Sequence, residues 1–399
     1  MGQDRINCFL ENSIFSLKKG NNDGDFSQNN PLSVQVGDES SARDGFSLSC
    51  PQHSVHSNES LNEHVAGKIN AKVFVVILSW NSRDDLMDCL AHLKVTNYPN
   101  YVIVIVDNGS TDDSVAKVKE IYPDCIIIEN AENVGFVGGC NIGMQYAMSN
   151  GADFVWLLND DALVTAETLS KLVSFAESNP KVGMVSPVIF THRESEKIQF
   201  CGAFVDFQSC CIVGTSDLKS IEQWQKDLKE NLFLWGTALL IKRAVMNRIG
   251  LLDERFFAYF EDTDYCLRAN AAGYIQRVVI DARIYHKNTT NQIERPPHYH
   301  YLYNRNMYLF FKKYDEEISQ LKLVIVFVRE ILLLAARLRD CRMNECLESC
   351  LSGCWHAFKG VHGAPRLRPK MPRVLKALII WHPYFFAKIL NTISSRILK

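Results

Sequence analysis

The segment Phe154-Val-Trp-Leu-Leu-Asn-Asp-Asp161 joins a continuous apolar run to a pair of acids. An apolar run of this length predicts a buried β-strand, and the acids then lie at its carboxyl end. Open α/β sheets bind their ligands outside the carboxyl ends of their strands. The segment therefore predicts both the class of fold and the edge of the sheet at which chemistry takes place.

Similar apolar runs precede this segment and alternate with stretches of helical spacing. The predicted strands are 73–78, 101–106, 125–128 and 154–158, and the predicted helices are about 84–94, 112–121, 139–149 and 165–178. Strands that are apolar on both faces and alternate with helices predict a mostly parallel sheet flanked by helices. We expect this α/β domain to occupy residues 70–312.

The composition is typical of a folded globular protein, with 47% hydrophobic and 22% charged residues. The net charge of −2 argues against a nucleic-acid partner, because such proteins carry a basic excess. Residues 1–69 are rich in Ser, Asn, Asp and Gly, which predicts a disordered polar extension. Thirteen cysteines without a secretory signal predict reduced thiols in a cytoplasmic protein.

The C-terminal residues 313–399 are predicted to be helical. Residues 321–336 hold two apolar runs split by Arg329 and Glu330, so neither run reaches the ~20 residues that span a bilayer. Residues 366–399 contain eight Lys or Arg and no Asp or Glu, interleaved with large apolar side chains. This mixture predicts an interfacial helix on the inner face of an anionic membrane. A solvated basic helix packed on the α/β domain is the alternative.

Three cysteines recur every four residues in this region, at Cys346, Cys350 and Cys354. A zinc site is one interpretation of this spacing. We favour ordinary helix packing, because no CxxC pair lies nearby and free cysteine behaves as a small buried hydrophobe.

Two polar turns follow the early strands. In Asp107-Asn-Gly-Ser-Thr-Asp112, Gly109 permits a tight turn and Asp107 can accept a hydrogen bond from a pyrimidine imide; a plain helix-capping turn is the alternative. Asn133-Val-Gly-Phe-Val-Gly-Gly-Cys-Asn141 predicts a glycine-rich loop before a helix, against which a nucleotide can lie. It is neither GxGxxG nor a Walker sequence, which excludes the dinucleotide and P-loop classes.

Asn159, Asp160 and Asp161 present oxygen atoms that suit Mg²⁺ or Mn²⁺. Solvated acids in a loop are the alternative. His286 follows Asp281-Ala-Arg-Ile-Tyr285 at a predicted strand end and is a candidate third metal ligand. A structural or acceptor-contacting histidine is the other interpretation.

A second acidic cluster lies in Tyr259-Phe-Glu-Asp-Thr-Asp-Tyr-Cys-Leu-Arg268. Acids this close raise one another's pKa, and a raised pKa makes a carboxylate a better general base near neutral pH. Asp264 and Arg268 stand at i and i+4, so we interpret them as an ion pair within a helix. Glu261 and Asp262 remain as the catalytic candidates.

Two further segments carry candidate functional residues. Residues 233–241 predict a strand interrupted by a glycine, where a ligand or another backbone can approach closely. An aromatic and basic cluster, which either binds a phosphate or sugar or packs at the surface, consists of His298, His300, Tyr301, Tyr303 and Arg305.

Taken in order, these segments resemble the inverting glycosyltransferases of family two with the GT-A fold, in particular the rhamnosyltransferase-like branch that builds bacterial surface polysaccharides. The resemblance covers roughly residues 72–310. The segments that carry it are Val75-Val-Ile-Leu-Ser-Trp-Asn81, Val106-Asp-Asn-Gly-Ser-Thr-Asp112, Asn133-Val-Gly-Phe136 with Asn141, Leu157-Leu-Asn-Asp-Asp161, Trp235-Gly-Thr-Ala238, Phe260-Glu-Asp-Thr-Asp264 with Arg268, and Arg305-Asn306.

The resemblance implies a dTDP- or UDP-sugar donor, a glycan or polyprenyl-linked acceptor, and a divalent cation. Asp161 matches the main metal ligand, Asp160 lies near the ribose or the cation, and Asp262 matches the base. The donor nucleotide would be contacted by Ser79, Asn81, Asp107, Asn133, Gly135, Asn141 and Asp160. The donor sugar or acceptor would be contacted by Trp235, Gly236, Thr237 and Arg305. Asn159 departs from the acidic residue that opens the family's metal motif, and this lowers the charge of the site.

The implied reaction is a single in-line displacement that inverts the anomeric carbon of rhamnose or a related hexose. Alternatives are a galactofuranosyl or other hexosyl transferase of the same family, and an inactive nucleotide-sugar-binding scaffold of a polysaccharide-assembly complex. A nucleotidyltransferase also combines an α/β sheet with acidic metal sites. It would release pyrophosphate instead of a nucleoside diphosphate.

Overall fold

The computed structural model describes residues 71–192, 196–228, 230–287, 293–314, 316, 318–366 and 370–397. The predicted polar extension at residues 1–69 lies outside the described residues. The strands within this part are β1 (Val73–Ser79), β2 (Tyr101–Asp107), β3 (Ile126–Glu129), β4 (Phe154–Asn159), β5 (Ala162–Val164), β6 (Val182–Thr191), β7 (Ile198–Phe200), β8 (Gly202–Asp206), β9 (Cys211–Thr215), β10 (Leu232–Phe233), β11 (Ala238–Lys242) and β12 (Ile275–His286).

The described helices surround these strands and continue to the C-terminus. They are α1 (Arg83–Leu93), α2 (Ser114–Ile121), α3 (Gly135–Ser149), α4 (Thr168–Ser178), α5 (Leu218–Asp227), α6 (Arg243–Ile249), α7 (Glu261–Ala271), α8 (Pro297–Lys313), α9 (Gln320–Asp340), α10 (Asn344–Phe358), α11 (Arg373–Trp381) and α12 (Pro383–Ile397).

The main sheet has the order β3-β2-β1-β4-β11-β6-β12-β5, with β7 paired to β6. Strands β1 to β4 are parallel to one another, and β6 runs parallel to β12. Strand β11 is antiparallel to both β4 and β6 and joins the two parallel parts. The mixed, mostly parallel sheet with flanking and C-terminal helices confirms the predicted GT-A class of fold.

The predicted glycine-rich loop before a helix is wrong in its extent, because helix α3 already begins at Gly135. The glycines serve helix packing instead. A Cβ atom at Gly139 would lie 2.1 Å from Leu78 Cδ1, and one at Gly143 would lie 2.3 Å from Val76 Cγ1. The absence of side chains at these positions lets α3 approach β1 closely.

The predicted strand 233–241 is also corrected. Leu232–Phe233 ends the small sheet β10-β8-β9, whereas Ala238–Lys242 lies in the main sheet. Residues 234–237 therefore cross from one sheet to the other. Periodicity cannot reveal such a crossing, because the apolar residues on both sides are equally buried.

The helices α8 to α10 extend the hydrophobic core of the sheet, since their buried side chains belong to the same cluster. Cys346, Cys350 and Cys354 are buried in it, in agreement with the predicted packing role. Arg329 donates to Glu330, at 2.5 Å, within the continuous helix α9. Among the described residues, no helix combines the length and the apolarity that a membrane span requires.

Candidate active site

The ends of three parallel strands bring the first group of predicted site residues together. Ser79 pairs with Asp107 across β1 and β2, and Leu78 pairs with Asn159 across β1 and β4. Asp160 follows Asn159 directly. The polar residues after each apolar strand therefore meet at one carboxyl edge of the sheet, where the sequence placed the ligand site.

Asp107 lies buried at this edge. Its Oδ2 accepts a hydrogen bond from Ser110 N at 3.0 Å, whereas its Oδ1 is buried and has no hydrogen-bond partner within the described part of the chain. An unsatisfied buried acceptor costs ~1–3 kcal/mol, so this oxygen favours a donor brought by a ligand. Asn81, with φ 52°, accepts from Thr111 N at 2.7 Å and ties the two neighbouring turns together.

Asp160 is held by a serine that sequence reasoning did not select. Ser82 Oγ donates to Asp160 Oδ2 and lies 3.0 Å from Ser79 Oγ. Burial raises the pKa of Asp160 to about 7, and the neighbouring charge of Asp161 adds to this effect, while the bond from Ser82 opposes it. Ser82 stands immediately before helix α1, a position at which serine is usually interpreted as a helix cap.

His286 lies beside the second aspartate. Its Nε2 is 3.1 Å from Asp161 Oδ1, and its Nδ1 is 3.0 Å from Gln199 Oε1. Antiparallel pairing of β12 with β5 places His286 opposite Ala162 and so next to Asp161. Gln199 was missed by sequence reasoning, since a lone glutamine on a short strand gives no signal.

The chemistry of this group fits a divalent cation. Asp161 supplies carboxylate oxygen, His286 supplies imidazole nitrogen, and Asn159 Oδ1 is buried without a hydrogen-bond partner among the described residues. Within that same part of the chain, no three His, Cys, Asp or Glu side chains are close enough to hold a metal ion by themselves. Few protein ligands are characteristic of Mg²⁺ sites that also use substrate phosphate and water.

The second acidic cluster forms the first turn of helix α7. Asp262 Oδ2 accepts from Gly236 N at 2.9 Å, and Asp262 Oδ1 accepts from Thr263 N at 2.6 Å. A helix N-terminus favours a nearby negative charge, because the free backbone N–H groups of its first turn point toward that charge. These donors hold the Asp262 carboxylate in a fixed orientation.

Burial dominates the protonation of both acids in this turn. It raises the pKa of Glu261 well above the ordinary value, and the charge of Asp262 adds to the effect. Burial also raises the pKa of Asp262, while the hydrogen bonds from Gly236 and Thr263 oppose the rise. Glu261 Oε2 has no hydrogen-bond partner among the described residues. A carboxylate with a raised pKa is suited to accept a proton near neutral pH.

The crossing segment 234–237 links the two acidic clusters. Thr237 O accepts from Asn159 N at 2.9 Å, and Gly236 N donates to Asp262 Oδ2. Trp235 stacks flat on Phe200, with ring centroids 3.7 Å apart and an interplanar angle of 3°. Two clusters that lie far apart in the chain therefore border one short backbone segment.

The predicted contacts of the glycine-rich segment serve the scaffold. Asn133 Oδ1 accepts from Gly135 N at 2.8 Å and from Asn108 Nδ2 at 3.0 Å. The Asn141 side chain bonds both the backbone N–H and the carbonyl of Leu252. These side chains fix the loops behind the sheet edge. Asn108, a further residue missed from the sequence, is the buried centre of this network.

Arg305 differs most from its predicted position. Its side chain is completely buried on α8 and donates to the carbonyl oxygens of Phe256 and Gly363, at 3.0 and 2.6 Å. The structure therefore places Arg305 behind the loop that leads to Glu261, not in the sugar-contacting position expected from the sequence. The predicted Asp264–Arg268 ion pair is confirmed at 2.8 Å.

Comparison with known proteins shows similarity to glycosyltransferases. Residues 74–250 match the family model described as glycosyl transferase family 2. The dTDP-rhamnosyl transferase RfbF of Shigella flexneri is 21% identical over 221 residues, which cover 55% of this chain and 70% of the relative. An N-acetylglucosaminyl-diphospho-decaprenol L-rhamnosyltransferase of Mycobacterium tuberculosis is 23% identical over 256 residues, which cover 59% of this chain and 82% of the relative.

The solved structure of GalNAc-T7 with UDP, GalNAc and Mn²⁺ is similar in fold, with a TM-score of 0.51 and 15% sequence identity. The similarity covers 75% of this chain and 59% of that chain. The fold is therefore of the GT-A class found in glycosyltransferases. Residues 74–250 carry the similarity to glycosyl transferase family 2.

Proposed function

We propose that this protein is an inverting glycosyltransferase that moves rhamnose or a related hexose from a dTDP- or UDP-sugar to a glycan or polyprenyl-linked acceptor during surface polysaccharide synthesis. The main support is the segment 234–237. It contacts Asn159 of the proposed cation site on one side, and on the other it contacts Asp262, a buried carboxylate with a raised pKa. The names of the rhamnosyltransferase relatives support the choice of donor and acceptor.

The nucleotide of the donor lies, in this proposal, over the edge formed by β1 and β2. The buried Oδ1 of Asp107 accepts from the base, and Ser79 and Asn81 border the same edge. The backbone from Asn133 to Gly135, with Asn141 behind it, limits this pocket on the side of α3. The polar turns between strand and helix therefore recognise the nucleotide.

Asp161 and His286 would hold Mg²⁺ or Mn²⁺, with Asp160 beside them. Such a cation, when bound, neutralises the charge that develops on the departing diphosphate. Gln199 orients the His286 ring, because a hydrogen bond at Nδ1 leaves Nε2 directed at Asp161. Trp235 and Thr237 shape the space for the donor sugar, with the Trp235 ring fixed by Phe200.

Asp262 acts as the general base that accepts the proton of the acceptor hydroxyl. Its two oxygens are oriented by Gly236 and Thr263, and burial keeps its pKa above the ordinary value. The Glu261 carboxyl beside it is buried, and its raised pKa favours the protonated, neutral form next to the base. Base assistance of this kind contributes ~10²–10⁴-fold to a rate, and alignment of donor and acceptor supplies the remainder.

The test combines a donor panel with one substitution. UDP-, dTDP- and GDP-sugars are offered with a short-chain N-acetylglucosaminyl diphospho-polyprenol, with Mn²⁺ or with EDTA, and nucleoside diphosphate release is measured. Asp262→Asn should lower kcat ~10²–10⁴-fold while nucleotide affinity stays unchanged, because only proton transfer is lost. Asp217→Asn is the matched control, since Asp217 also accepts a backbone N–H at a helix start.

Four outcomes contradict the proposal. Normal transfer by Asp262→Asn would refute the assignment of Asp262 as the base. Normal transfer in EDTA would refute the need for a divalent cation. Release of pyrophosphate in place of a nucleoside diphosphate would indicate a nucleotidyltransferase. Retention of the anomeric configuration in the product would exclude the single displacement.

We also propose that α11 and α12 attach the protein to the inner face of an anionic membrane. The two helices expose Val374, Trp381 and Phe385 at 75%, 77% and 62% of their surfaces. Arg373 and Lys388 are exposed on the same helices, and residues 366–399 contain no acid. Exposed aromatic side chains among basic ones suit the headgroup region of a bilayer.

A further inference from the structure

The loop in front of helix α7 has an unusual backbone. Phe257, Tyr259 and Phe260 all adopt left-handed conformations, with φ of 66°, 71° and 74°. Bulky side chains rarely occupy this region, because the Cβ atom approaches the following carbonyl oxygen. Such conformations persist only where the surrounding structure imposes them, and they concentrate at functional sites.

Asn306, on helix α8, contacts this loop through its amide group. Asn306 Nδ2 donates to the carbonyl oxygens of Phe256, Ala258 and Tyr259, at 2.8, 2.7 and 3.0 Å. The side chain is completely buried. Arg305 Nε donates to Asn306 Oδ1 at 2.9 Å, and this bond fixes which end of the amide faces the loop.

Arg305 ties the same loop to a second segment of the chain. Its Nη2 donates to Phe256 O and its Nη1 to Gly363 O, while Gly363 N donates to Arg255 O at 2.9 Å. In addition, Val137 N at the start of α3 donates to Phe257 O at 3.0 Å. The strained loop is therefore held from α8, from residue 363 and from α3.

The loop ends where the acidic pair begins. Phe260 is the left-handed residue directly before Glu261, so its conformation sets the direction of the first turn of α7. The Asp262 carboxylate then meets Gly236 N at 2.9 Å. A change in the loop would rotate this turn and move the carboxylate relative to the segment 234–237.

We infer that Arg305 and Asn306 are positioning residues, which hold the left-handed loop 256–260 so that the Glu261–Asp262 carboxylates face the segment 234–237. The inference rests on the proposed role of Asp262. It assigns Arg305 a function different from the sugar contact expected from the sequence. The three carbonyl bonds of Asn306 are the part of the arrangement that a single substitution can remove.

The direct test is Asn306→Asp, which keeps the size of the side chain and replaces its donor group by oxygen. Asn306→Ala, which introduces no buried charge, carries the same test if the first variant does not fold. We expect faster hydrogen–deuterium exchange in residues 256–262 and a kcat lowered ~10²-fold, the size of effect that a displacement of about 1 Å produces. Affinity for UDP and dTDP with Mn²⁺ should change less than about two-fold, because the nucleotide edge is untouched.

Asn304→Ala is the matched control. Asn304 is a buried asparagine on the same helix, and its Nδ2 donates to His300 O at 2.6 Å. This bond stays within α8 and does not reach the loop. The control should lower the melting temperature without changing kcat or the exchange of residues 256–262.

A double substitution separates positioning from general damage. In the Asp262→Asn background, Asn306→Ala should lower the rate less than about three-fold, because residues that act as one unit are not additive. Equal losses in both backgrounds, or a normal kcat in both Asn306 variants, would overturn the inference. Normal transfer by Asp262→Asn alone would instead refute the assignment of Asp262 as the base. A lower kcat of Asn306→Ala together with faster exchange in residues 256–262 would then still support the positioning role of Asn306.

Discussion

Individual residues around the candidate site divide into those with an unsatisfied buried oxygen and those whose polar groups bond neighbouring loops. Asp107 and Glu261 each keep a buried oxygen without a hydrogen-bond partner in the described part of the chain. The polar groups of Asn141 and Arg305 form hydrogen bonds with backbone atoms of neighbouring loops. The residue types alone do not separate the two groups, because asparagine and arginine suit both tasks.

Glu261 offers a test of burial through pH. Its pKa is higher in the folded than in the unfolded chain, so the folded state binds more protons above pH ~4.5 and loses stability as the pH rises. Glu261→Gln removes this loss, by roughly 1.4 kcal/mol for each unit by which the pKa is raised. In thermal unfolding at pH 5 and pH 8, the stability of the variant relative to the wild type should be higher at pH 8 than at pH 5. A pH-independent difference would show that Glu261 is not held protonated by burial.

Secondary-structure elements meet through precise contacts that the sequence shows only indirectly. Helix α3 lies against β1 because Gly139 and Gly143 leave space for Leu78 and Val76. The same helix carries Gly135, whose φ of 84° and close contact with Phe257 exclude a side chain. Glycines interpreted as nucleotide-facing are thus required for packing along most of this helix.

Gly143→Ala tests this packing. The new Cβ would lie 2.3 Å from Val76 Cγ1 and 3.2 Å from Val106 Cγ2, and β-branched side chains cannot rotate away easily. We expect a loss of ~1–3 kcal/mol in the free energy of unfolding, measured by urea denaturation. Gly214→Ala is the control, since its nearest neighbour is 3.6 Å away. Equal stability of the two variants would contradict the close approach of α3.

The whole molecule combines a closed core with an uncovered C-terminal surface. Helices α8 to α10 share the hydrophobic cluster of the sheet. Helices α11 and α12 contact α9 and leave large apolar side chains exposed, among them Trp381 and Phe385. Arg339 Nη1 donates to Ile380 O at 2.7 Å, and Tyr384 donates to Asp340 at 2.9 Å, so both helices are anchored to α9.

Membrane attachment is tested with Trp381→Ser/Phe385→Ser. Each side chain should insert its apolar surface among lipid headgroups, and nearby Lys and Arg each add ~1 kcal/mol on an anionic surface. Co-sedimentation with vesicles of phosphatidylglycerol and phosphatidylcholine should fall at least about ten-fold for the double variant and fall with added salt. Val95→Ser/Leu321→Ser, at 59% and 62% exposed positions, is the control. Equal sedimentation of both double variants would refute the proposal that α11 and α12 attach the protein to the membrane.

Sequence patterns were enough to predict the alternation of strands and helices, the acids at strand ends and the Asp264–Arg268 pair. These features depend on local periodicity, on helix spacing and on where an apolar run stops. The extent of α3 and the crossing at residues 234–237 could not be predicted from these patterns, because both depend on which surfaces pack together.

Three contacts of the candidate site could not be predicted: His286 with Asp161, Gly236 with Asp262, and Asn306 with the loop 256–260. Each pair joins residues from separate elements, and their meeting follows from strand register and helix packing. Local sequence carries no signal for such contacts, since a side chain that supports a site and one that binds a ligand have the same chemistry. The sequence therefore determines which groups are present, and the fold decides which of them face one another.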